Sequence, residues 1–558
     1  MTTPATSRRT RRHVIPVVAL AAAGAVGGAA LLAGCGSSAS AGSAPASIAG
    51  YIPSESPLYV QVSTDTSGSQ WTKLIQLGKL FPGFGPMRAE LDASLAREGI
   101  NWDTDLKPLL GKAAALATTS VPDTSSVAQG ALADPAAAAG RAAATAADQP
   151  MLAVLQIAEG KSADVRALIA KGNGGLKETG TQDGATLYAD AAAGTYVAIT
   201  DESLIIGSTE AVVKQALGAN AKGGDAVLSG VFRFNDALAK LPQDVFAMAY
   251  VNLETVGKSA AEAIPQVESI AGGQVTGAAA MSVTAEDNGL RMKAILVDAP
   301  PTADQTPYAP TLTSQAPADS IAYIGFNRLA NTVEAAITAA SGEGSDETKK
   351  QIDALTGQLP LLLGVNTGDL RNLTGGEHAV VVSGSGAMPG AALALKVADG
   401  AQATKSLTAL SRTIPALAGQ FGGQKMKVGK ATAVTAGGAT GQRIAVGKRT
   451  VAWGVRGDLA AIGNGVPAIG QVLAPRAAAD SLAGSPAFVA ATKGMPDQVT
   501  GLAYVNMRKA NTVLAANGAF TGKDGAKMRA QLRPIRDITA WSTGGDTPTV
   551  EVFVGMAK

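Results

Sequence analysis

Cysteine is almost absent from the 558 residues. There is one, Cys35, so no intramolecular disulfide can form and no cysteine-based metal cluster can be built. Histidine is nearly as scarce. Of the two, His13 lies in a cationic N-terminal stretch, which leaves His378 as the one imidazole in the body of the chain for proton transfer near neutral pH. These counts exclude zinc sites of the His/Cys type. Aromatics make up only 4% against 46% hydrophobic residues and 66 glycines, so any core is aliphatic and built from small side chains. Charge is sparse as well, and closely balanced. Residues 1–34 hold four arginines (Arg8, Arg9, Arg11, Arg12) and no acid, which leaves 42 basic and 44 acidic side chains beyond them. A surface that neutralises phosphates along a polymer needs clustered Lys and Arg. Short groups such as Lys349-Lys350 or Lys425, Lys427 and Lys430 read as solvated surface, and no nucleic-acid partner is expected.

What is present begins at the N-terminus. Residues 7–13 are cationic, and the uncharged stretch 14–32 (VIPVVALAAAGAVGGAALL) follows, the form of a secretory signal. It ends in Leu32-Ala33-Gly34-Cys35, which resembles a bacterial lipobox, with cleavage between Gly34 and Cys35 and a diacylglycerol on the Cys35 thiol. The lone cysteine of the chain falls on that position. Residues 1–34 are therefore read as signal peptide and 35–50 as a lipidated Cys with a small, polar, flexible tether. An uncleaved membrane helix is the alternative, because the apolar stretch approaches the roughly 20 residues that span a bilayer; its Gly and Pro interruptions and the lipobox favour processing. Either way the body lies outside, by the positive-inside rule. Export by the general or by the twin-arginine route stays open.

The body reads as a duplication. At an offset of 264, Pro53, Ser56 and Tyr59 meet Pro317, Ser320 and Tyr323, while Asp105, Leu106, Leu109 and Gly111 meet Asp369, Leu370, Leu373 and Gly375. At 256, Gly207, Gln215 and Leu217 meet Gly463, Gln471 and Leu473, and at 254 LPQDVFAMAYVNL (241–253) meets MPDQVTGLAYVNM (495–507). The expected fold is α+β: two tandem copies of one unit, residues 51–300 and 308–558, each a largely antiparallel sheet with helices packed on one face. Val60-Gln61-Val62 and Tyr323 to Phe326 open the copies as strands, and 327–340 has helical spacing. Residues 290–297 and Val550, Val552 and Val554 close the copies as hairpins. The Ala-Tyr-Val-Asn strands are apolar on both faces and should be central. The Ala-rich stretch 121–149 is read as a disordered insert in the first copy.

No catalytic pattern emerges. His378, in Gly375-Gly376-Glu377-His378, is read as a surface or strand-end residue without a partner nucleophile. Asp103-Thr104-Asp105 could offer two calcium ligands, but the rest of an EF-hand loop is missing, so Asp105 and Asp369 are read as caps of a turn. Gly463-Asn464-Gly465-Val466-Pro467-Ala468 superficially matches a dinucleotide-binding loop; Pro467 and the divergent Gly207-Ser208-Thr209-Glu210 of the first copy make it a helix start. Catalytic, cofactor-binding and metal residues are thus expected to be none.

The Pro53-x-x-Ser56-x-x-Tyr59 opening, the element Asp105 to Gly111 (DLKPLLG) and the Ala249-Tyr250-Val251-Asn252 strand resemble actinobacterial secreted, lipoprotein-like proteins of domain-of-unknown-function family 3352. The resemblance implies a secreted or membrane-tethered placement and supplies no activity or functional residues. The expected protein is a lipoprotein on the outer face of the cytoplasmic membrane, held through lipid on Cys35, with a non-catalytic binding or scaffold role toward an unknown envelope protein or small ligand. An envelope hydrolase using a carboxylate or Ser/Lys site, and a lipid carrier with an apolar cavity, stay open as alternatives.

Overall fold

A strand whose apolar residues run on continuously, instead of alternating, must be covered on both faces. Such runs recur here, as in Met151–Ile157 (MLAVLQI) and Ala247–Asn252 (AMAYVN). The computed structural model describes residues 48–97, 99–120, 150–171, 175–190, 194–263, 276–299, 306–327, 367–384, 388–421 and 428–557. The signal-like segment with Gly34 and Cys35, the stretch 121–149 and nearly all of 327–340 lie outside the described residues. The chain divides into two compact units, Met1–Glu286 with Met292–Pro300, and Asp287–Arg291 with Pro301–Lys558. Both mix helices with an antiparallel sheet, as expected of an α+β chain.

The first unit contains β1 (Leu58–Ser63), β2 (Leu110–Thr118), β3 (Met151–Ile157), β4 (Lys177–Gln182), β5 (Ala185–Asp190), β6 (Thr195–Ile199), β7 (Ser203–Gly207), β8 (Ala247–Asn252), β9 (Ala278–Glu286) and, from Met292 onward, β10 (Gly289–Val297). Neighbours run in the order β4-β5-β6-β7-β3-β2-β1-β8-β9-β10. The β4–β5 turn is tight because Asp183 and Gly184 both take positive φ, as a two-residue hairpin requires. On one face Leu152, Val154, Ala198 and Ile205 pack against Val212, Val213, Ala216 and Leu217 of the helix Glu210–Lys222 (α3) and Phe234 of Phe232–Ala239 (α4). On the other, Leu155, Ile157, Val197, Ile199 and Leu204 pack against Trp71 and Leu74 of Ser69–Gly78 (α1) and Val165 and Ile169 of Ser162–Lys171 (α2). Helices on one face only was the expectation; they cover both. The physical reason is legible in β3, whose even and odd positions are both apolar and must both leave water.

In the second unit β11 (Ala322–Asn327), β12 (Glu377–Ser383), β13 (Gly390–Lys396), β14 (Thr432–Ala436), β15 (Ala439–Val446), β16 (Arg449–Arg456), β17 (Leu459–Gly463), β18 (Gly501–Asn506), β19 (Ile535–Thr543) and β20 (Thr549–Met556) pair in the order β14-β15-β16-β17-β13-β12-β11-β18-β19-β20. One face is covered by Val466–Leu473 (α7) and Pro486–Ala491 (α8), the other by Thr367–Thr374 (α5) and Gly400–Phe421 (α6).

Buried tyrosines sit at the middle of each sheet. Tyr59 stands opposite Tyr250 across β1 and β8, and Tyr323 opposite Tyr504 across β11 and β18; all four are fully buried. Phe234 meets Tyr59 and Tyr250 edge-on with centroids 5.4 and 5.1 Å away, and Phe488 meets Tyr504 at 5.5 Å. In an aromatic-poor chain these rings are among the largest side chains of the cores, with Phe246, Trp453 and Trp541. Burial pushes their phenols up, Tyr504 to about 12, so they pack as neutral groups.

Candidate functional site

Lys396, Arg456 and Asp458 of the second unit line one cleft, with Glu377 beside it. The approach begins with Tyr308 to Ser314, which lays a 3-10 turn, Thr311–Ser314, against the start of β12. The Leu312 side chain is buried in the core, and the N–H groups of Thr311, shared with the Ala309 carbonyl, and of Leu312 point at Glu377, the first residue of β12. Glu377 is itself buried, and its carboxylate accepts from Thr311 N (3.0 Å), Thr311 Oγ1 (2.5 Å) and Leu312 N (2.8 Å). A buried carboxyl is tolerable only with such donors. Burial holds the Glu377 carboxyl above the usual carboxylate range, while those bonds and Lys396 pull it back. Gly376, just before it, allows the close approach: a Cβ there would lie 2.3 Å from the Lys396 carbonyl oxygen.

Beside this latch lies a cleft of about 300 Å³ lined by Thr311, Ser314, Gln315, Lys396, Arg456 and Asp458, with Leu312, Gly457 and Leu459. Lys396 ends β13, Arg456 ends β16, and Asp458 sits in the turn between β16 and β17, so strand register alone brings them together. Lys396 Nζ is 3.4 Å from Thr311 Oγ1 and 3.9 Å from Asp458 Oδ2, the latter in a solvated pair of small energetic weight. Arg456 donates from Nη2 to Gln315 Oε1 at 3.3 Å, and its buried Nε has no acceptor among the described residues. The cleft therefore offers guanidinium and ammonium donors, one exposed carboxylate at its rim, and a second carboxylate already satisfied behind it. Such a donor set suits recognition of an anion.

The residues singled out from sequence fall elsewhere. His378, read as a surface or strand-end residue, is the second residue of β12 and fully buried, so the strand-end alternative holds and the surface one does not. Its Nε2 lies 3.0 Å from the Leu373 carbonyl, its ring stacks on Phe326, and burial holds it below the usual imidazole value. Asp103 and Asp105 form a turn: Asn101 Oδ1 accepts from Asp103 N and Thr104 N, and Asp105 Oδ2 accepts from Asn101 N at 2.8 Å, which holds the Asp105 carboxyl low. Asp369 bonds Gln402 on the next helix. Gly463 ends β17, and α7 starts with Pro467 in its first turn. Asn464 Oδ1 accepts from Ala391 N and its Nδ2 donates to Pro389 O, so this loop is stitched to β13. No group of three or more His, Cys, Asp or Glu side chains with metal-binding geometry occurs among the described residues. No described helix is long and apolar enough to cross a membrane.

Sequence reasoning missed Lys396, Arg456 and Glu377. Their one local signal is that Lys396 and Arg456 each close an apolar strand just before an Asp-containing turn, Ala398-Asp399 and Gly457-Asp458.

A family model described as "Protein of unknown function (DUF3352)" matches residues 14–556. Solved structures similar to the chain include crystal form IV of TP0453, at 12% identity over 45% of this chain and 81% of that one, with a TM-score of 0.25. Crystal form III matches at 12% over 46% and 81% with a TM-score of 0.25, and crystal form I at 11% over 45% and 79% with 0.24. No curated protein matches the chain.

Proposed function

Because the chain belongs to the DUF3352 family over nearly its whole length, a family described as of unknown function, we propose its role from the cleft and the N-terminus: a membrane-tethered extracytoplasmic lipoprotein that binds a ligand without transforming it. The single observation that carries the binding role is the cleft of the second unit, where Arg456 and Lys396 face solvent-accessible space with few competing acceptors. The placement is supported by the sequence alone: a cationic start, an apolar stretch and Leu32-Ala33-Gly34-Cys35, with lipid on Cys35 as the anchor. Two acyl chains there suffice for stable anchoring where one is marginal.

We also read the two units as tandem copies of one ancestral α+β unit. The support is that their strands pair in corresponding order, each of β11 to β20 standing where β1 to β10 stand. The tyrosine pairs Tyr59–Tyr250 and Tyr323–Tyr504 occupy equivalent register positions.

Metabolic labelling tests the anchor: the full chain expressed in a bacterial host with labelled palmitate should carry label, and Cys35→Ala should carry none. Label retained by Cys35→Ala would overturn the lipoprotein reading. Release of sugar or peptide fragments from purified cell-wall polymer by the full chain would replace binding with catalysis.

A further inference from the structure

We propose that the cleft at the end of the second unit's sheet is a binding site for a phosphate group, gripped by Arg456 and Lys396. This deepens the binding role proposed above and rests on it. A guanidinium and an ammonium lining one cleft supply N–H donors and positive charge to the oxygens of an oxyanion. Arg456 lines the cleft and donates from Nη2 to the neutral Gln315 Oε1 at 3.3 Å, a bond that leaves its positive charge uncompensated. Lys396 Nζ makes one long contact to Thr311 Oγ1 and none within hydrogen-bond distance to Asp458. With Glu377 held by three donors behind the turn, the cleft lining carries two cations against one exposed carboxylate. A volume of about 300 Å³ lies at the small end of ligand sites, which fits a phosphate with a short substituent.

The scaffold by itself does not require these charges. At an offset of 264 the place of Gln315 is taken in the first unit by Tyr51, and that of Glu377 by Ala113. Matching the registers Gln156↔Ser203 and Lys396↔Leu459 puts neutral Gln156 where Lys396 stands. There Tyr51 Oη lies 3.5 Å from Thr200 Oγ1 and Gln156 Oε1 accepts from Lys112 N, while Glu202, at an offset of 256, stands in the place of Asp458. The first unit thus closes this end of its sheet without a cation in the places of Lys396 and Arg456, whereas in the second unit Lys396 stands beside the buried Glu377 carboxyl and Arg456 beside Gln315.

Isothermal titration of the full chain in detergent micelles, with inorganic phosphate and with glycerol 3-phosphate at constant ionic strength, tests the assignment. Saturable binding should weaken about tenfold or more in Arg456→Gln and in Lys396→Gln. Asp458→Asn should instead tighten it, a gain that a merely structural defect would not produce. Tighter binding of glycerol 3-phosphate would identify a lipid or polymer headgroup as the source, and equal or tighter binding of phosphate a free anion. If Arg456→Gln fails to fold, Lys396→Gln and Asp458→Asn carry the comparison. Absence of saturable binding to the wild-type chain, or equal binding by all variants, would overturn the site. The two readings fail separately: palmitate on Cys35 with no phosphate binding removes only the cleft assignment. Binding that survives in every variant keeps a binding role but moves it elsewhere.

Discussion

His378 and Glu377 are sequence neighbours on one strand and differ in what burial does to them. Side chains alternate across a strand, so the two point to opposite faces. Glu377 meets the backbone donors of the Thr311 turn, while His378 meets Phe326 and the Leu373 carbonyl. Burial raises the carboxyl and lowers the imidazole; both shifts favour the neutral form. The consequences for stability have opposite signs. For His378 the unfolded chain binds the proton more readily than the folded one, so its contribution is complete above about pH 6.5 and is lost as pH falls through the lowered folded value. For Glu377 the folded chain is the better proton acceptor, so its burial costs less as pH falls toward the carboxylate range. In His378→Leu, the decline in melting temperature below about pH 6.5 should flatten relative to wild type. An unchanged slope in a melting series across that range would show that this imidazole does not govern the acid limb.

At the scale of elements, the sequence announced several structures through local chemistry. Asp287-Asn288-Gly289 marks the turn between β9 and β10, and Pro467 marks the first turn of α7. Thr209 is of the same kind: its hydroxyl accepts from Val212 N at 3.3 Å and caps α3, whose Val212, Val213, Ala216 and Leu217 hold one face of the first sheet. Thr209→Ala should cost about 1 kcal/mol of stability, measured by denaturant unfolding, with an unchanged m-value; Thr209→Ser should restore most of it. What local chemistry could not announce was the second helix layer. A short apolar run is compatible with a strand packed on one face or on two, and the difference lies in whether α1 and α2, distant in sequence from β6 and β7, return to cover them.

For each unit as a whole, burial decides where the sheet is strongest. β1 and β8 in the first unit, and β11 and β18 in the second, lie inside their sheets with paired neighbours on both sides. β4, by contrast, has exposed residues along almost its entire length and, among the described residues, pairs only with β5. Amide hydrogen exchange should therefore be slowest at Tyr59, Tyr250, Tyr323 and Tyr504 and fastest, among strands of the first unit, at Glu178 to Thr181. Comparable protection along β4 and β1 would contradict this ordering.

The sequence by itself determined the class of the chain. Its lone cysteine excludes an intramolecular disulfide, its scarce histidine and cysteine exclude zinc sites of the His/Cys type, and its repeated Pro-x-x-Ser-x-x-Tyr and Ala-Tyr-Val-Asn segments led to the family. Those are properties of composition and local order, which need no third dimension. Only the tertiary structure decided that helices cover both faces of each sheet, that His378 is buried, and that Lys396, Arg456 and Asp458 share a cleft with the Thr311 turn. The reason is that Thr311, Lys396 and Arg456 are far apart along the chain and are joined by β12, β13, β17 and β16 pairing in register; that register is set by burial of whole strand faces, which no single residue encodes.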